Sequence, residues 1–460
     1  MTSSERPQIS VVVPVYDMPE PLTLCVKRLA EQAERVQAEV IIVDDGSDEP
    51  TQLAGTRLTQ EFACVSFVHR PRDGASGRST ARNLGIERAR GRTIVFVDAG
   101  VCAGDGFLER FSEASTRYPR DVLLCEIYGV AMLGDWDAAR LSQWLDDPTT
   151  IPEEWNDTRR GLFRLCRGDL SRLPAPWTLG WTGALAIPAD AARQMNGFDT
   201  KFRLWGGEDV EFTLRALQLG LGCRALDTFA VRIPHQRPDA RSERAAPREG
   251  LPGQDNRRLL QELHPSRESE LLRHLTGVSV NVFAMRLDQL AREYVVPPAA
   301  GLLGALGALG QQDLRTLALF PPSGRVQRAL NPHLTLVHSA LERDALAAEH
   351  SVSRVEVGLG SALLVEDGHF DRVVVHDLIR AFPGWLRSAI LREALRVGDE
   401  LCLALGDGNA PVRSDRNGDN TGWGWATIET IHDELLAQGA TCETVRRDDV
   451  RLLLARPTPA

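Results

Sequence analysis

Short apolar runs alternate with helical patterns through the first hundred residues, and this alternation constrains the fold more than any other feature of the chain. The apolar runs predict strands at residues 9–15, 40–43, 65–69 and 93–97. Helical patterns lie between the first and second of these runs, at residues 22–35, and between the third and fourth, at residues 79–90. Strands that alternate with helices through short loops are typical of a parallel α/β sheet covered on both faces. Ligands of such sheets bind outside the carboxyl ends of the strands, so polar residues at strand ends are the candidates for function.

A second alternation fills the C-terminal part of the chain. It begins with a helical stretch at residues 259–309 and continues with predicted strands at 317–320, 334–338, 355–357, 372–376, 400–405 and 450–455. Residues 236–258 are rich in Arg, Pro, Glu and Gly, which predicts a linker, either a solvated surface loop or a mobile lid over a site. We therefore expect an α/β domain at residues 1–245, a linker and helical region at 246–312, and a second α/β domain at 313–460.

Charge and composition exclude several classes of protein. The 460-residue chain has a formal net charge of −10, which makes it a poor general binder of nucleic acid or of an anionic membrane surface. A local basic patch between Arg78 and Arg92 stays open as an alternative. No apolar run reaches the roughly 18 residues of a membrane span, and the polar residues 1–8 carry no signal peptide. The eight cysteines form no C-x-x-C pair, so zinc is not expected, and reduced thiols in a cytoplasmic protein are the simplest interpretation.

Carboxylates stand at the ends of the first two predicted strands. Pro14, Tyr16 and Asp17 close the first strand, and Asp44 and Asp45 close the second, before a Gly-Ser turn. A carboxylate in this position can accept the N–H of a uracil-type base or the hydroxyls of a ribose. Each pair could equally be a plain transition from strand to turn.

The next two elements suit a diphosphate. Residues 77–85, GRSTARNLG, open a helix that carries Arg78, Arg82 and Asn83, and a helix start with arginine is a good diphosphate site. The alternative is that Arg82 lies on a solvated helix face. Asp98 ends the strongly apolar fourth strand, where a carboxylate could hold a divalent metal against a diphosphate.

The most specific element is WGGED at residues 205–209, which precedes an amphipathic helix predicted over residues 210–219. Two glycines allow a close turn before the adjacent carboxylates Glu208 and Asp209. One carboxylate can deprotonate an acceptor hydroxyl while the other orients it. Taken alone, the pair could equally be a charge pair that the helix dipole favours at a helix start.

In this order and spacing the elements resemble the family-2 glycosyltransferases of the GT-A fold, over residues 9 to about 238. The pieces that carry the resemblance are VVVPVYD, EVIIVDDGSDEP, GRSTARNLGIERARGRTIVFVD, TGALAIP, NGFD and RLWGGEDVEFTLRALQLG. The last piece is also similar to a segment of galactosyltransferases and polypeptide N-acetylgalactosaminyltransferases. The resemblance implies a GT-A nucleotide-diphospho-sugar transferase fold and transfer of a hexose or N-acetylhexosamine from a nucleotide-sugar, foremost a UDP-sugar, to an acceptor hydroxyl, with inversion.

The resemblance also implies a role for each matching residue. On the donor side, the nucleoside and diphosphate would contact Pro14, Tyr16, Asp17, Asp44 or Asp45, Arg78, Arg82, Asn83 and Asp98. Asp209 would be the general base, and Glu208 would contact the acceptor. The sugar and acceptor site would be lined by Trp181, Thr182, Gly183, Trp205, Gly206 and Gly207. His235 would join Asp98 as a metal ligand, although a histidine after a strand could also be a plain polar residue of the rim.

One departure from the family pattern bears on the metal. Asp98 would be the first residue of an Asp-x-Asp motif, but Gly100 stands in the place of the second ligand. Mn²⁺ or Mg²⁺ could still bind through Asp98, His235, the donor diphosphate and water. The alternatives are that arginines carry the charge, or that the protein binds the donor without transferring it.

The C-terminal part resembles class I S-adenosylmethionine methyltransferases over residues 313–459. The pieces are FDRVVVHDL, LREALRVGDEL and the closing RLLLAR. The glycine-rich turn is replaced by PPSG at residues 321–324, and Val337 is followed by His338 and Ser339, with no acidic residue there. Without these parts S-adenosylmethionine is not expected. We predict a degenerate Rossmann-like domain that packs, dimerises or recognises the acceptor, which would be a glycan, a peptide or a small natural product. A bifunctional transferase and methyltransferase, or a scaffolding protein, are the alternatives.

Overall fold

The computed structural model describes residues 6–129, 138–203, 206–233, 254–293, 299–307, 314–348, 354–407, 425–447 and 449–457. The chain divides into two compact units. The first unit comprises residues 1–260 and 275–281, and the second comprises residues 261–274 and 282–460. Within the part of the chain that the structure describes, no helix is both long and apolar enough to cross a membrane.

The first unit is built on an eight-stranded mixed sheet. Its strands are β1 (Ile9–Val15), β2 (Glu39–Asp44), β3 (Val65–His69), β4 (Thr93–Val97), β5 (Val101–Ala103), β6 (Asp121–Tyr128), β7 (Ala184–Pro188) and β8 (Gly222–Arg232). They lie in the order β3-β2-β1-β4-β7-β6-β8-β5. Strands β3, β2, β1 and β4 run parallel, whereas β7 is antiparallel to both β4 and β6, and β5 is antiparallel to β8. The predicted parallel α/β sheet is therefore confirmed for the first four strands only.

Eight α-helices accompany this sheet in the described residues of the first unit. They are α1 (Pro19–Val36), α2 (Glu49–Glu61), α3 (Arg78–Arg88), α4 (Phe107–Arg117), α5 (Ala138–Asp146), α6 (Arg160–Leu165), α7 (Ala189–Gln194) and α8 (Glu208–Gln218). The core forms where apolar residues of β1, β2, β4 and β6 meet the buried faces of α1 and α4. Helix α1 begins at Pro19, and Pro50 is the second residue of α2; a proline in the first turn costs no helical hydrogen bond.

The register of the strands brings the predicted site residues to one edge. Val15 lies beside Asp44, Asp44 lies beside His69, and Val97 lies beside Ala184. The loops that follow β1, β2 and β4 and the loop that precedes β7 therefore share the carboxyl edge of the parallel strands.

Helix α9 (Gln254–Leu263) begins within the predicted linker, so residues 254–258 are helical and that part of the linker prediction is wrong. The helical stretch continues as α10 (Arg267–Leu272), α11 (Gly277–Glu293) and α12 (Ala299–Gly307). Residues 236–253 lie outside the described residues.

The second unit is built on a seven-stranded sheet, which confirms a second α/β domain. Its strands are β9 (Thr316–Leu319), β10 (Leu334–Val337), β11 (Arg354–Val357), β12 (Phe370–His376), β13 (Gly398–Gly406), β14 (Ala440–Arg447) and β15 (Val450–Pro457), in the order β11-β10-β9-β12-β13-β15-β14. Only β15 runs against its neighbours. The helices among these strands are α13 (Gly324–Leu330), α14 (Ala340–Ala348), α15 (Gly384–Val397) and α16 (Ile428–Ala437).

Candidate active site

The loops after β1 and β2 hold each other through Asp17 and Ser47. Asp17 has a left-handed backbone, with φ of 50°. Its main-chain N–H donates to the Ser47 hydroxyl over 2.9 Å, and its carboxylate accepts the main-chain N–H of Asp48 over 2.8 Å. Asp17 is therefore in place at the strand end and already pins the second loop.

The two adjacent carboxylates after β2 have different surroundings. Asp44 is fully buried and accepts hydrogen bonds from the N–H and hydroxyl of Ser47, and one oxygen lies 2.7 Å from Nδ1 of His69. Asp45 instead faces two arginines, with Arg70 at 3.2 Å and Arg72 at 3.8 Å. Burial raises the pKa of Asp45, and these two arginines oppose that rise. Asp44 thus stabilises the turn that follows β2, whereas Asp45 lies beside Arg70 and Arg72.

Arg70 and Arg72 were not predicted from the sequence. The Arg72 guanidinium lies 3.9 Å from the centre of the Tyr16 ring. Gly46 has φ of 80°, and a Cβ there would come within 2.6 Å of the Arg72 main-chain nitrogen. Only glycine fits this turn, because its φ is positive and the main chain of Arg72 packs directly against it.

Arg82 of α3 contacts two of the predicted site carboxylates. Its side chain is 2% exposed and donates to Asp98 over 2.9 Å and to Glu208 over 3.3 Å. Burial works against the ionised form of Asp98, but Arg82, Arg232 and Arg78 outweigh it and hold its pKa below the usual range. Asp98 therefore stays ionised, with a side chain that is still 35% exposed.

Asn83 and Arg78, on the same helix, are placed differently. The Asn83 amide accepts the Phe198 main-chain N–H over 2.7 Å and donates to the Phe198 carbonyl over 2.9 Å. It fastens α3 to the NGFD segment. Arg78 lies exposed in the first turn of α3. Of the three predicted donor residues on α3, Arg78 is therefore the one that is open to solvent.

The paired glycines before α8 have the backbone that only glycine adopts freely. Gly206 has φ of 88° and Gly207 has φ of 99°. The carbonyl of Gly206 accepts the side-chain N–H of Asn256 over 2.6 Å. This turn starts α8 at Glu208, so both predicted carboxylates lie in its first turn.

The pKa of Asp209 is far above the usual value of a carboxyl group. Burial and the negative charge of Glu208 raise its pKa to about 7, while Arg82 opposes the rise. Glu208 is 5% exposed, and one of its carboxylate oxygens is buried without a hydrogen bond among the described residues. A carboxylate that gains its proton near pH 7 can accept one from a hydroxyl at neutral pH.

The segment before β7 lies beside Asp98. The carbonyl of Gly183 accepts the Asp98 main-chain N–H over 3.4 Å, and Thr182 is buried. The Trp181 ring lies 4.1 Å from the guanidinium of Arg159. Arg159 is fully buried on Asp157, with a shortest contact of 2.6 Å, and this pair was not predicted from the sequence.

The described residues supply few metal ligands. The carbonyl of Gly100 accepts the main-chain N–H of Ile233 over 2.8 Å, and glycine has no side chain that could bind a metal. No group of three His, Cys, Asp or Glu side chains among the described residues could hold a metal ion. Trp205 and His235 lie outside the described residues. A partly exposed Asp98 fits a cation that is held mainly by donor phosphate and water.

Comparison with known protein families covers this unit. Residues 10–164 match the model described as glycosyl transferase family 2. Residues 165–237 match the model described as the N-terminal domain of galactosyltransferase. The two matches are contiguous and include every predicted site residue.

Three curated relatives are 24–28% identical to this chain over the residues that align. Validoxylamine A glucosyltransferase of Streptomyces hygroscopicus subsp. jinggangensis is 27% identical over 248 residues, which cover 51% of this chain and 57% of that protein. Polypeptide N-acetylgalactosaminyltransferase 3 of Drosophila melanogaster is 28% identical over 192 residues, or 40% of this chain and 28% of that protein. Chondroitin synthase of Pasteurella multocida is 24% identical over 235 residues, or 48% and 24%. The chain therefore spans little more than half the length of these relatives at most.

Proposed function

We propose that this chain, whose residues 10–164 match glycosyl transferase family 2, moves a sugar from a nucleotide-sugar to an acceptor hydroxyl with Asp209 as general base. The observation that carries the proposal is the buried Arg82, which contacts Asp98 on one side and Glu208 on the other. One guanidinium thereby links the carboxylate assigned to the donor diphosphate to the pair assigned to the acceptor.

The donor side is assigned to the loops after β1, β2 and β4. Asp45 and Asp17 would accept hydrogen bonds from the base and ribose, with the Tyr16 ring beside them. Arg78 would contact the diphosphate, because it is the exposed cation of α3. The nucleotide class foremost in this proposal is uridine diphosphate.

Transfer is proposed as a single displacement with inversion. Asp209 takes the proton of the acceptor hydroxyl, and that oxygen bonds to the anomeric carbon as the bond from this carbon to the donor phosphate breaks. The nucleoside diphosphate leaves with the electron pair of the broken bond. A divalent cation held by Asp98 would neutralise charge on the diphosphate. Arg82 keeps Asp98 ionised and so preserves that ligand.

Trp181 and Thr182 are assigned to the sugar and the acceptor. The Trp181 ring is partly exposed, and Arg159 supports one of its faces. The acceptor would be a glycan, a peptide or a small natural product. All eight cysteines are free thiols, and we infer a cytoplasmic location because reducing compartments keep thiols in that state.

Gly100 favours one competing function, which is donor binding without transfer. A site with one carboxylate could hold a nucleotide-sugar and yet stabilise its departure poorly. In that case the chain would be a binding or scaffolding protein. The experiment must therefore separate binding from turnover.

The test is nucleotide release from UDP-, GDP- and dTDP-sugars, with and without Mn²⁺, together with calorimetry on the same donors. We expect one donor to bind and to be hydrolysed slowly. Asp98→Ala should lose hydrolysis, whereas Asp209→Asn should keep donor binding and lose transfer once an acceptor is found. Binding without any turnover would favour the competing function, and no binding at all would contradict both.

Asp190→Asn is a matched control. Asp190 lies in the first turn of α7, is exposed, and accepts the N–H of the next residue over 2.9 Å, as Asp209 does over 2.8 Å. Its replacement should leave donor binding and hydrolysis unchanged.

A further inference from the structure

The carboxyl edge of the second sheet is the place where a ligand of this unit would bind. Strand β9 lies between β10 and β12, so the winding of the sheet reverses there. Open α/β sheets bind ligands at such a reversal. The resemblance of this part of the chain to methyltransferases implies S-adenosylmethionine at that edge.

The space between the ends of β9 and β12 is filled by aromatic rings of the chain itself. Phe320 follows β9 and Phe382 lies beyond β12, and their rings meet edge to face with centroids 5.3 Å apart. Phe320 is 3% exposed and Phe382 is 0% exposed. The His338 ring, after β10, lies 6.4 Å from both. A cofactor would need open space and main-chain donors where these rings pack.

The neighbouring end of β11 is also occupied, by a carboxylate of α10. Glu270 accepts the main-chain N–H groups of Leu359 over 2.8 Å and of Ala362 over 3.1 Å. It also accepts the main-chain N–H of Ser361 and, over 2.8 Å, the Ser361 hydroxyl. Four donors thus converge on one carboxylate that is 4% exposed.

The end of β10 is held by Arg267, one turn before Glu270. Its guanidinium donates to the His338 carbonyl over 2.7 Å and to Asp288 over 2.7 Å, and it is 4% exposed. Gln261, earlier in the same segment, donates to the Ala362 carbonyl over 2.6 Å. Residues 261–272 therefore reach two successive strand ends through buried polar groups.

Converging main-chain N–H groups form an anion site, and here the anion belongs to the chain. Burial raises the pKa of Glu270, and its four hydrogen bonds oppose that rise. These are the donors that a diffusible anionic or hydroxyl-bearing ligand would have to capture from Glu270.

We propose that α10 is the internal occupant of the ligand edge of the second unit, anchored by Glu270 and Arg267, and that this unit takes no S-adenosylmethionine. The residues present do not fit that cofactor, because rings fill the reversal point and a carboxylate of the chain fills the neighbouring anion site. The proposal concerns the second unit alone and does not depend on sugar transfer by the first.

Binding is tested by calorimetry of the full chain with S-adenosylmethionine and S-adenosylhomocysteine, each up to about 1 mM. We expect no saturable heat with either compound. Saturable 1:1 binding with a Kd of about 100 μM or tighter would overturn the proposal.

The anchor is tested by thermal unfolding of Glu270→Gln, with Glu366→Gln as control. Glu366 is an exposed carboxylate of the same unit. Glu270→Gln should lower an unfolding midpoint by about 5 °C or more, because the amide accepts through one oxygen only and turns its NH2 group toward a buried main-chain N–H. Glu366→Gln should move it by about 1 °C at most. Equal midpoints for the two variants would contradict the role of Glu270.

Discussion

Arg82 shows how a single buried charge can set the character of its neighbours. Its guanidinium has negligible exposure, so its contacts with Asp98 and Glu208 are made at low dielectric, where each is stronger than at the surface. It holds the pKa of Asp98 down and limits the rise in the pKa of Asp209. Its main effect is therefore electrostatic positioning within the site.

Replacing Arg82 should damage both stability and activity. Arg82→Met leaves the buried Glu208 and the partly exposed Asp98 without this partner, and the unpaired buried charge of Glu208 should cost about 3–5 kcal/mol of unfolding free energy. The pKa of Asp209 should rise further, so the acid limb of the pH–rate profile should move to higher pH. Arg82→Lys keeps the positive charge, but an ammonium group cannot contact Asp98 and Glu208 together as the guanidinium does. Its stability and activity should therefore lie between those of wild type and Arg82→Met. Denaturant unfolding and a pH–rate profile measure these effects, and an unshifted limb in a folded Arg82→Met would contradict the role.

The raised pKa of Asp209 predicts a stability cost at neutral pH. The folded pKa of about 7 exceeds the unfolded value near 3.8, so ionisation disfavours the folded state. The stability that the protonated Asp209 contributes to the wild type should decrease as the pH rises from about 4 through 7. Above the folded pKa this contribution should be absent. Asp209→Asn removes the ionisation and should be more stable than wild type by roughly 1–4 kcal/mol at pH 8, with little difference at pH 4.

Denaturant unfolding of both proteins at the two pH values measures this difference. Asp190→Asn, at the start of α7, should show no gain at either pH. A loss of stability in Asp209→Asn at pH 8 would show that the carboxylate is paired more favourably than its surroundings suggest.

At the residue level, motifs were predictable and isolated arginines were not. Asp17, Asp98 and the Glu208–Asp209 pair stand in fixed patterns at strand and helix ends, and the resemblance that they carry is confirmed by the family matches over residues 10–237. Arg72 and Arg159 stand in no pattern. Arg72 lies over the Tyr16 ring and Arg159 over the Trp181 ring, and these contacts between distant parts of the chain cannot be read from the sequence.

At the element level, the apolar strands were predicted well and the polar elements were missed. The runs at 9–15, 65–69 and 93–97 are β1, β3 and β4 to the residue. Strands β1 and β4 lie inside the sheet and are apolar because both of their faces are buried, whereas β3 lies at the edge and is partly exposed. Strand β14, ATCETVRR, was missed because most of its side chains are exposed. Helix α2 was missed because Gly55 interrupts a weak helical pattern of apolar residues. Glycine is needed there because the Phe67 ring occupies the position that a Cβ would take.

The turn before α8 predicts a contrast between two glycines. Gly207, at the start of the helix, and Gly220, just past its end, have φ of 99° and 82°, so alanine should strain the backbone at each by about 1–2 kcal/mol. Gly207→Ala should also displace Glu208 and Asp209 and reduce transfer by about 10-fold or more. Gly220→Ala has open space around its Cβ and should lose stability without losing activity.

Unfolding free energies and donor turnover for the two alanine variants measure this contrast. Equal losses of turnover in both would indicate that backbone strain alone, and not displacement of the paired carboxylates, lowers the activity.

At the scale of the whole molecule, the arginines between Arg78 and Arg92 differ in their surroundings, and Arg78, Arg88 and Arg92 are exposed. Of the arginines that suggested a basic patch, Arg82 is buried on Asp98, and Arg90 pairs with Glu39 over 2.7 Å. Phosphate backbones bind to arrays of free cations. Weak binding of polyanions therefore stays a prediction from the net charge of −10.

The two units use the carboxyl edges of their sheets in opposite ways, and this predicts a separation of effects. The edge of the first unit ends in Asp98, 35% exposed, whereas the edge of the second is closed by Phe320, Phe382 and Glu270, each under 5% exposed. Asp209→Asn should abolish transfer without lowering an unfolding midpoint. Glu270→Gln should lower an unfolding midpoint and yet keep donor hydrolysis within about twofold of wild type at 25 °C, because its hydrogen bonds lie in the second unit and the proposed donor site lies in the first. Donor hydrolysis by Glu270→Gln, measured well below the temperature at which this variant unfolds, tests the prediction. A loss of more than about twofold would mean that the second unit also supports the reaction.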